Sequence, residues 1–190
     1  MTEFEIHTAQ TAPDRSKPLL EQTKAAFGVV PNLHGVMAEA PGLLEGYLVL
    51  HRLFLESSFT DEEKTVVWQS INVEHDCHYC VPSHTGIAKR MGVDDAVSDA
   101  LRNETSLPTP RLEALRRFTL QMVRERGSVG DKQVEAFLAA GFTSRQVLEV
   151  VLAISQKVMS NYTNKLANTP IEPYFEQFAW QRTPSAELVS

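Results

Sequence analysis

The segment at positions 74–84 is the most informative part of this chain. It reads Glu74-His75-Asp76-Cys77-His78-Tyr79-Cys80-Val81-Pro82-Ser83-His84. Cys77 and Cys80 are the only cysteines in 190 residues, and His84 follows them closely. Two thiols within one helical turn are positioned to act together. They either bond each other reversibly, help to hold a metal ion, or lie inert in the core.

Pro82 restricts the helix that carries this motif. A proline beyond the first turn removes a backbone hydrogen bond and clashes with the preceding turn. The sequence therefore predicts a helix that begins at Tyr79 or Cys80, with Cys77 just before it. A helix N-terminus favours an anion, so we expect Cys80 to ionise readily as a thiolate. His84 can then exchange its proton near neutral pH, and Cys77 can close a disulfide with an oxidised Cys80.

Zinc is the main alternative at this motif. Cys77, Cys80, His84 and either His75 or His78 could supply four ligands. Structural zinc, however, usually takes its two ligand pairs from separate segments. Inert burial fits poorly with the polar neighbours of both cysteines. We therefore expect a redox site that contains no metal.

The composition is that of a globular protein without a nucleic-acid interface. Hydrophobic residues make up 43% of the chain, charged residues 22%, and the formal net charge is −6. Nucleic-acid binding requires a basic stripe, which the scattered lysines and arginines do not form. No apolar run approaches the roughly 20 residues that span a bilayer, and the acidic start does not resemble a signal peptide. We expect a cytoplasmic protein without membrane partners, where a close cysteine pair serves redox chemistry or metal binding.

Hydrophobic residues recur with the 3.6-residue period of helices throughout, and period-2 alternation is absent, so the predicted fold class is all-α. Several helix ends carry clear signals. Pro18 and Gly28 bound a first helix, and Thr60 with Glu63 forms a capping box. Further helix starts follow Thr109 and Thr143.

Two halves of the chain have similar patterns on either side of a linker at 103–110. The matching elements are Phe54-Leu55 and Phe59-Thr60 in the first half, and Phe137-Leu138 and Phe142-Thr143 in the second. In this alignment Ser160 and Thr163 replace the two cysteines, so the chemistry belongs to the first half. We expect related halves that pack as one domain, because a helical unit with one apolar stripe cannot close its own core. The predicted boundaries are 1–190 for the domain, about 17–102 and about 110–170 for the halves, and 171–190 for the tail.

The pattern Cys-x-Tyr-Cys-x-x-x-His at 77–84 resembles the signature of AhpD-like alkylhydroperoxidases, in the carboxymuconolactone decarboxylase family. The likeness covers roughly residues 28–180. It extends to Val30-Pro31-Asn32, Pro41-Gly42-Leu43-Leu44, Ser160-Asn161-Tyr162-Thr163-Asn164 and Thr169-Pro170. The resemblance implies an AhpD-like helical fold that usually assembles into homotrimers or homohexamers.

The resemblance also implies a peroxidase or disulfide reductase that acts on small organic hydroperoxides. Cys80 would attack the peroxide, Cys77 would resolve the oxidised product, and His84 would belong to a proton relay. Such enzymes need no cofactor of their own. Their electrons come from a dithiol protein, such as a lipoyl domain or a thioredoxin-like partner.

One position departs from the family pattern. Where well-known members have a relay glutamate upstream of the first cysteine, this chain has Thr65. Glu149 is our candidate replacement, since it lies among apolar residues of the repeated helix and would approach the motif if the halves pack as pseudo-symmetric partners.

Two other functions remain open. One is a lyase acting on a cyclic lactone, as in the decarboxylase branch, which does not depend on a thiol pair. The other is a zinc-binding or interaction module.

Overall fold

The computed structural model describes residues 4–182, which form helices and connecting loops without a β-strand. The helices are α1 (Lys17–Phe27), α2 (Asn32–Met37), α3 (Pro41–Leu55), α4 (Asp61–Glu74), α5 (Cys80–Arg90), α6 (Asp95–Arg102), α7 (Pro110–Arg124), α8 (Asp131–Ala139), α9 (Ser144–Ala167) and a final 3₁₀ helix (Pro173–Phe178). The all-α prediction is confirmed. Residues 1–3 of the predicted domain and 183–190 of the predicted tail lie outside the described residues.

Local signals in the sequence determine the helix ends. Thr60 and Glu63 form the predicted capping box, each side chain bonding the other's backbone N–H. The same reciprocal bonds join Thr143 and Gln146 at the start of α9. Gly28 ends α1 with a φ of 80°, a left-handed conformation that glycine adopts without steric cost.

Helix α4 lies at the centre of the larger core and packs against α5, α6, α7 and α9. Almost every side chain of α4 after its first turn is buried, with Trp68 and Ile71 among the most enclosed. Phe118 of α7, Phe137 of α8 and Val150 of α9 complete this core from the second half. Both predicted halves therefore contribute to one core, and their common descent stays a prediction.

A smaller apolar cluster encloses the cysteine motif. Leu20, Leu33 and Leu44 from the first three helices pack there together with Cys77 and Cys80. Hydrophobic burial of this kind contributes about 25 cal/mol per Å² of apolar surface, so the cluster also holds the motif in place.

The 3₁₀ helix folds back onto α5. Phe175 is buried, and its ring lies so close to Gly86 that a Cβ atom there would be 2.5 Å from Phe175 Cε1. Arg102 donates to the carbonyl of Phe178, and Trp180 Nε1 donates to the carbonyl of Arg102. The segment after α9 is therefore fixed against the motif helix.

No single helix within residues 4–182 is long and apolar enough to cross a membrane. Helices α8 and α9 pass the same test as a pair, on length and composition only, with a bend of 112° between them.

We predict that Gly86→Ala lowers stability and loosens the 3₁₀ helix, because the new methyl group would overlap the Phe175 ring. Alanine elsewhere in a helix is favoured over glycine by about 0.5–1 kcal/mol, so a loss would be purely steric. Gly42→Ala is the matched control, since nothing lies within 4 Å of its added Cβ. Thermal unfolding of both variants tests this. A Gly86→Ala variant as stable as Gly42→Ala would contradict the close packing.

Candidate active site

The two cysteines occupy a tight turn between α4 and α5. Asp76 adopts a positive φ of 48° there, and the Cys77 N–H donates to the carbonyl of Asn72 over 3.0 Å. Helix α5 begins at Cys80, as Pro82 predicted. The backbone N–H of Cys80 donates to Cys77 Sγ at 3.3 Å. The turn thus holds both sulfurs at the start of one helix, and no disulfide bond joins them.

The surroundings of Cys80 favour its thiolate. Burial opposes ionisation, but the hydrogen bond from the Cys77 thiol, the charge of Lys157 and the amides of Asn164 and Asn161 outweigh it. Together they lower the pKa of Cys80 to about 6. Asn164 Nδ2 donates to Cys80 Sγ at 3.2 Å. Cys80 is therefore the sulfur that ionises first.

Cys77 has the opposite character. Its hydrogen bond to Cys80, its burial and the charge of the Cys80 thiolate all raise the pKa of Cys77. The pair accordingly holds one thiolate and one thiol at neutral pH. This is the division of roles expected of an attacking and a resolving cysteine.

Lys157 is the functional residue that the sequence analysis missed. It is only 1% exposed, and its Nζ lies 3.0 Å from Nε2 of His84. Burial lowers the pKa of Lys157, while the charge of Cys80 opposes this effect. Burial and the nearby ammonium group also hold the pKa of His84 well below its ordinary value. The structure thus places a neutral imidazole and a lysine side by side in the wall of the cavity described below.

A helical pattern in the sequence points to Lys157. The buried positions of α9 include Val150, Ala153, Lys157, Asn161 and Asn164, which recur at spacings of three and four. Residues at those spacings share one helix face. The helical spacing in the sequence therefore already indicates that Lys157 lies on the buried face of α9.

Buried amides connect α9 to the motif. Asn161 Nδ2 donates to Asn72 Oδ1 over 3.0 Å, and Asn72 Nδ2 donates to Gln69 Oε1 over the same distance. Gln69 in turn donates to the carbonyl of Val81 in α5. These bonds fix the sequence-distant α9 against both helices that flank the cysteines.

Glu149 is not brought to the cysteine pair. Its carboxylate accepts from the N–H of Ser58, at 3.1 Å, and from Arg145 Nε, at 2.8 Å. It lies about 12 Å along the axis of α9 from Lys157, at a rise of about 1.5 Å per residue. Glu149 therefore accepts a hydrogen bond from the loop before α4 and does not belong to a proton relay at the cysteines.

The histidines beside the cysteines bond elsewhere. His75 Nδ1 donates to Asn161 Oδ1 over 2.9 Å, and the exposed His78 donates to the carbonyl of Thr169 over 3.0 Å. Across residues 4–182, no three His, Cys, Asp or Glu side chains are grouped so that they could hold a metal ion. This arrangement gives no support to the zinc alternative.

A cavity of about 600 Å³ opens onto Cys80, His84 and Lys157. Six aromatic rings in successive contact form much of its wall. In order they are Phe27, His34, Tyr47, His51, Trp68 and His84, with centroid separations between 4.9 and 6.0 Å. Tyr174 and Phe175 of the C-terminal segment also line the cavity. The reactive sulfur therefore faces a largely apolar, aromatic space.

No protein-family model matches the chain, and no curated protein matches it. Solved structures do. An alkylhydroperoxidase AhpD core protein from Ralstonia eutropha JMP134, described as an uncharacterized peroxidase-related protein, aligns with a TM-score of 0.80 and 19% identity, over 92% of this chain and 96% of that chain. An uncharacterized peroxidase-related protein from Silicibacter sp. TM1040 aligns with a TM-score of 0.76 and 16% identity, over 92% and 95%.

A third similar structure is a cysteine-to-alanine variant of the debrominase Bmp8 in complex with 2,3,4-tribromopyrrole. It aligns with a TM-score of 0.73 and 17% identity, over 93% of this chain and 95% of that chain. At these identities the comparison establishes the fold. The chain has an AhpD-like all-α fold, as the resemblance of its cysteine motif implied.

We predict that Lys157→Met raises the pH at which Cys80 becomes reactive. Thiolate forms as pH rises through the pKa, so alkylation of Cys80 by iodoacetamide should rise through about pH 6 in the unaltered chain. Removing the ammonium charge should move that midpoint upward by about one unit or more. Lys165→Met is the control, because this exposed lysine lies on the same helix and pairs with Asp76. An unchanged midpoint in Lys157→Met would show that the lysine does not stabilise the thiolate.

Proposed function

We propose that this protein is a thiol-dependent oxidoreductase that reduces small organic hydroperoxides, with Cys80 as nucleophile and Cys77 as resolving thiol. The observation that carries the proposal is the unequal pair of cysteines, of which Cys80 lines the cavity. Cys80 has a pKa near 6, and the pKa of its neighbour is raised. A buried thiolate beside a protonated thiol is suited to attack and then be resolved.

The proposed cycle balances in three steps. The Cys80 thiolate attacks the distal oxygen of the peroxide, the O–O bond breaks, and Cys80 becomes a sulfenic acid while an alcohol leaves. The Cys77 thiol then attacks this sulfur, which releases water and forms the Cys77–Cys80 disulfide. An external dithiol reduces the disulfide and is itself oxidised.

Lys157 and His84 supply the proton in the first step. The departing alkoxide is strongly basic, and an apolar cavity offers few other donors. In the proposed cycle the protonated Lys157 donates to Nε2 of His84, which lines the cavity beside Cys80. Proton delivery of this kind typically contributes about 10²–10⁴-fold to rate.

The reductant in this proposal is a dithiol on a slender arm, such as a lipoyl group. Cys77 and Cys80 are 0% and 2% exposed, so a flat protein surface cannot reach either sulfur directly. The cavity gives access to Cys80. A thioredoxin-like protein would need this part of the fold to open first.

Reductive dehalogenation is a second candidate, which the aromatic cavity wall favours. A thiolate can take a halogen from a halogenated ring while the ring carbon gains a proton, leaving a sulfenyl halide on Cys80. Attack by Cys77 then forms the disulfide and releases hydrogen halide. The similar debrominase Bmp8 was solved with a brominated pyrrole, a planar ring of the kind that fits an aromatic wall.

We expect Cys80→Ser to abolish consumption of cumene hydroperoxide under a lipoyl-dithiol reductant. Without reductant, Cys77→Ser should still consume about one equivalent and then stop, because its sulfenic acid has no resolving thiol. A stopped-flow measurement with mass spectrometry of the products distinguishes these results. Full turnover by Cys80→Ser would refute the assignment. An activity on a cyclic lactone that survives alkylation of both cysteines would instead identify the lyase alternative.

For dehalogenation, the reduced chain should release one halide per disulfide formed in a single turnover. Polybrominated pyrroles and phenols are suitable substrates, with halide measured by ion chromatography. Cys80→Ser is the control and should release none. Disulfide formation by peroxide, without halide release from any halogenated ring, would leave peroxide reduction as the function.

A further inference from the structure

Two histidines in the cavity wall have no role in the proposed cycle. The rings of His34 and His51 flank Tyr47, with centroid distances of 5.5 and 6.0 Å, and His51 also stacks on Trp68 at 5.6 Å. Both histidines line the same cavity as Cys80. His51 belongs to α3, and the structure places it in the wall of the cavity that also reaches Cys80.

Both imidazoles are neutral and lack polar partners. Burial lowers the pKa of His34 to about 3 and that of His51 to about 4, and the ammonium charge of Lys157 adds to the effect on His51. Neither ring forms a side-chain hydrogen bond within residues 4–182, and the Nδ1 atom of each is buried without a partner. Aromatic packing alone holds these two rings.

Unpartnered imidazoles are costly in an apolar wall. A neutral imidazole has one N–H donor and one acceptor nitrogen, and a buried polar group without a partner is destabilising. Apolar side chains of similar shape would pack at these two positions without that cost. The enclosed Nδ1 atoms cannot be reached from the cavity, so a ligand there would meet the Nε2 atom of each ring, which also has no protein partner within residues 4–182. Two such nitrogens in one cavity wall suit a ligand that hydrogen-bonds to them.

We infer that the cavity binds a planar, neutral aromatic substrate with one hydrogen-bond donor, a phenol O–H or an azole N–H, and that His34 and His51 recognise this donor. The inference rests on the proposed function and specifies its substrate class. Aromatic rings pair favourably at centroid distances of about 4.5–7 Å, so a flat ring can stack along this wall. A donor on that ring then meets an acceptor nitrogen of a neutral imidazole.

The charges in the cavity favour a neutral substrate. Lys157 already faces the Cys80 thiolate, and each affects the pKa of the other. A carboxylate beside them would add a second negative charge next to the thiolate and weaken attack. A hydrogen bond to His51 would hold one edge of the substrate ring. From His51 the aromatic wall continues through Trp68 to His84, and the ring centroids of Trp68 and His84 are 4.9 Å apart. The substrate's reacting bond would then lie near Cys80.

Binding to the Cys80→Ser variant, which cannot turn over, tests this inference independently of catalysis. The probes are 4-methylphenol and 4-methylanisole, which differ in the donor hydrogen and one methyl group. The readout is the change in tryptophan fluorescence, to which Trp68 in the cavity wall contributes. We expect the phenol to bind about fivefold more tightly, as one net hydrogen bond contributes. His51→Phe keeps an aromatic ring and should abolish this preference, and His34→Phe should reduce it.

Two further variants make the test specific. His51→Gln restores a donor and an acceptor and should recover part of the preference for the phenol. His78→Phe, a histidine outside the cavity, should leave the preference unchanged. Equal binding of both probes, no binding of either, or a preference that survives in His51→Phe and His34→Phe together would overturn the inference.

The two proposals fail in different ways. Phenol binding that depends on His51, in a chain that reduces neither peroxides nor halogenated rings, would support the binding site and refute the proposed function. Peroxide reduction without any preference for the phenol would do the reverse.

Discussion

The electrostatic pairing of the Lys157 ammonium group with the Cys80 thiolate is the interaction on which the site depends. Removing either charge from water costs several kcal/mol, and only close partners compensate for that cost. Both charges have such partners here, since His84 lies 3.0 Å from the lysine, and Asn164 and the Cys77 thiol form hydrogen bonds to the sulfur. Lys157, Asn161 and Asn164, on the buried face of α9, all favour the thiolate form of Cys80.

This pairing also explains why the two cysteines differ. They lie in one turn and share nearly the same burial, so burial alone would raise the pKa of both. The side chains of α9 approach Cys80, and the hydrogen bond from Cys77 adds a further donor to the same sulfur. Each contact that favours the thiolate on Cys80 disfavours a second thiolate on Cys77. The fold therefore assigns the roles through the position of one helix.

The sequence predicts the helix starts, which depend on residues close together in the chain. Pro82 located the start of α5, and capping residues such as Thr60 located other helix starts, because these signals act within a few residues. Lys157 and His84 are far apart in sequence, and only the packing of α9 against α5 brings them together. Glu149 is an acid on the repeated helix, but its carboxylate accepts from the N–H of Ser58 and does not reach the motif. The sequence pattern does not determine which turn of α9 lies against the cysteines.

The cavity has a consequence for the order of events in the proposed cycle. Cys77 is fully buried, and Cys80 has contact with open space through the aromatic cavity. Substrate and reductant must then use the same route to the same sulfur, and a planar substrate stacked on the wall would obstruct an arm-borne dithiol. Substrate and reductant would therefore have to bind in turn, and the enzyme would carry the Cys77–Cys80 disulfide after the substrate leaves and before the reductant binds. Such a ping-pong cycle suits a site in which one sulfur reacts with the outside and the other remains enclosed to resolve it.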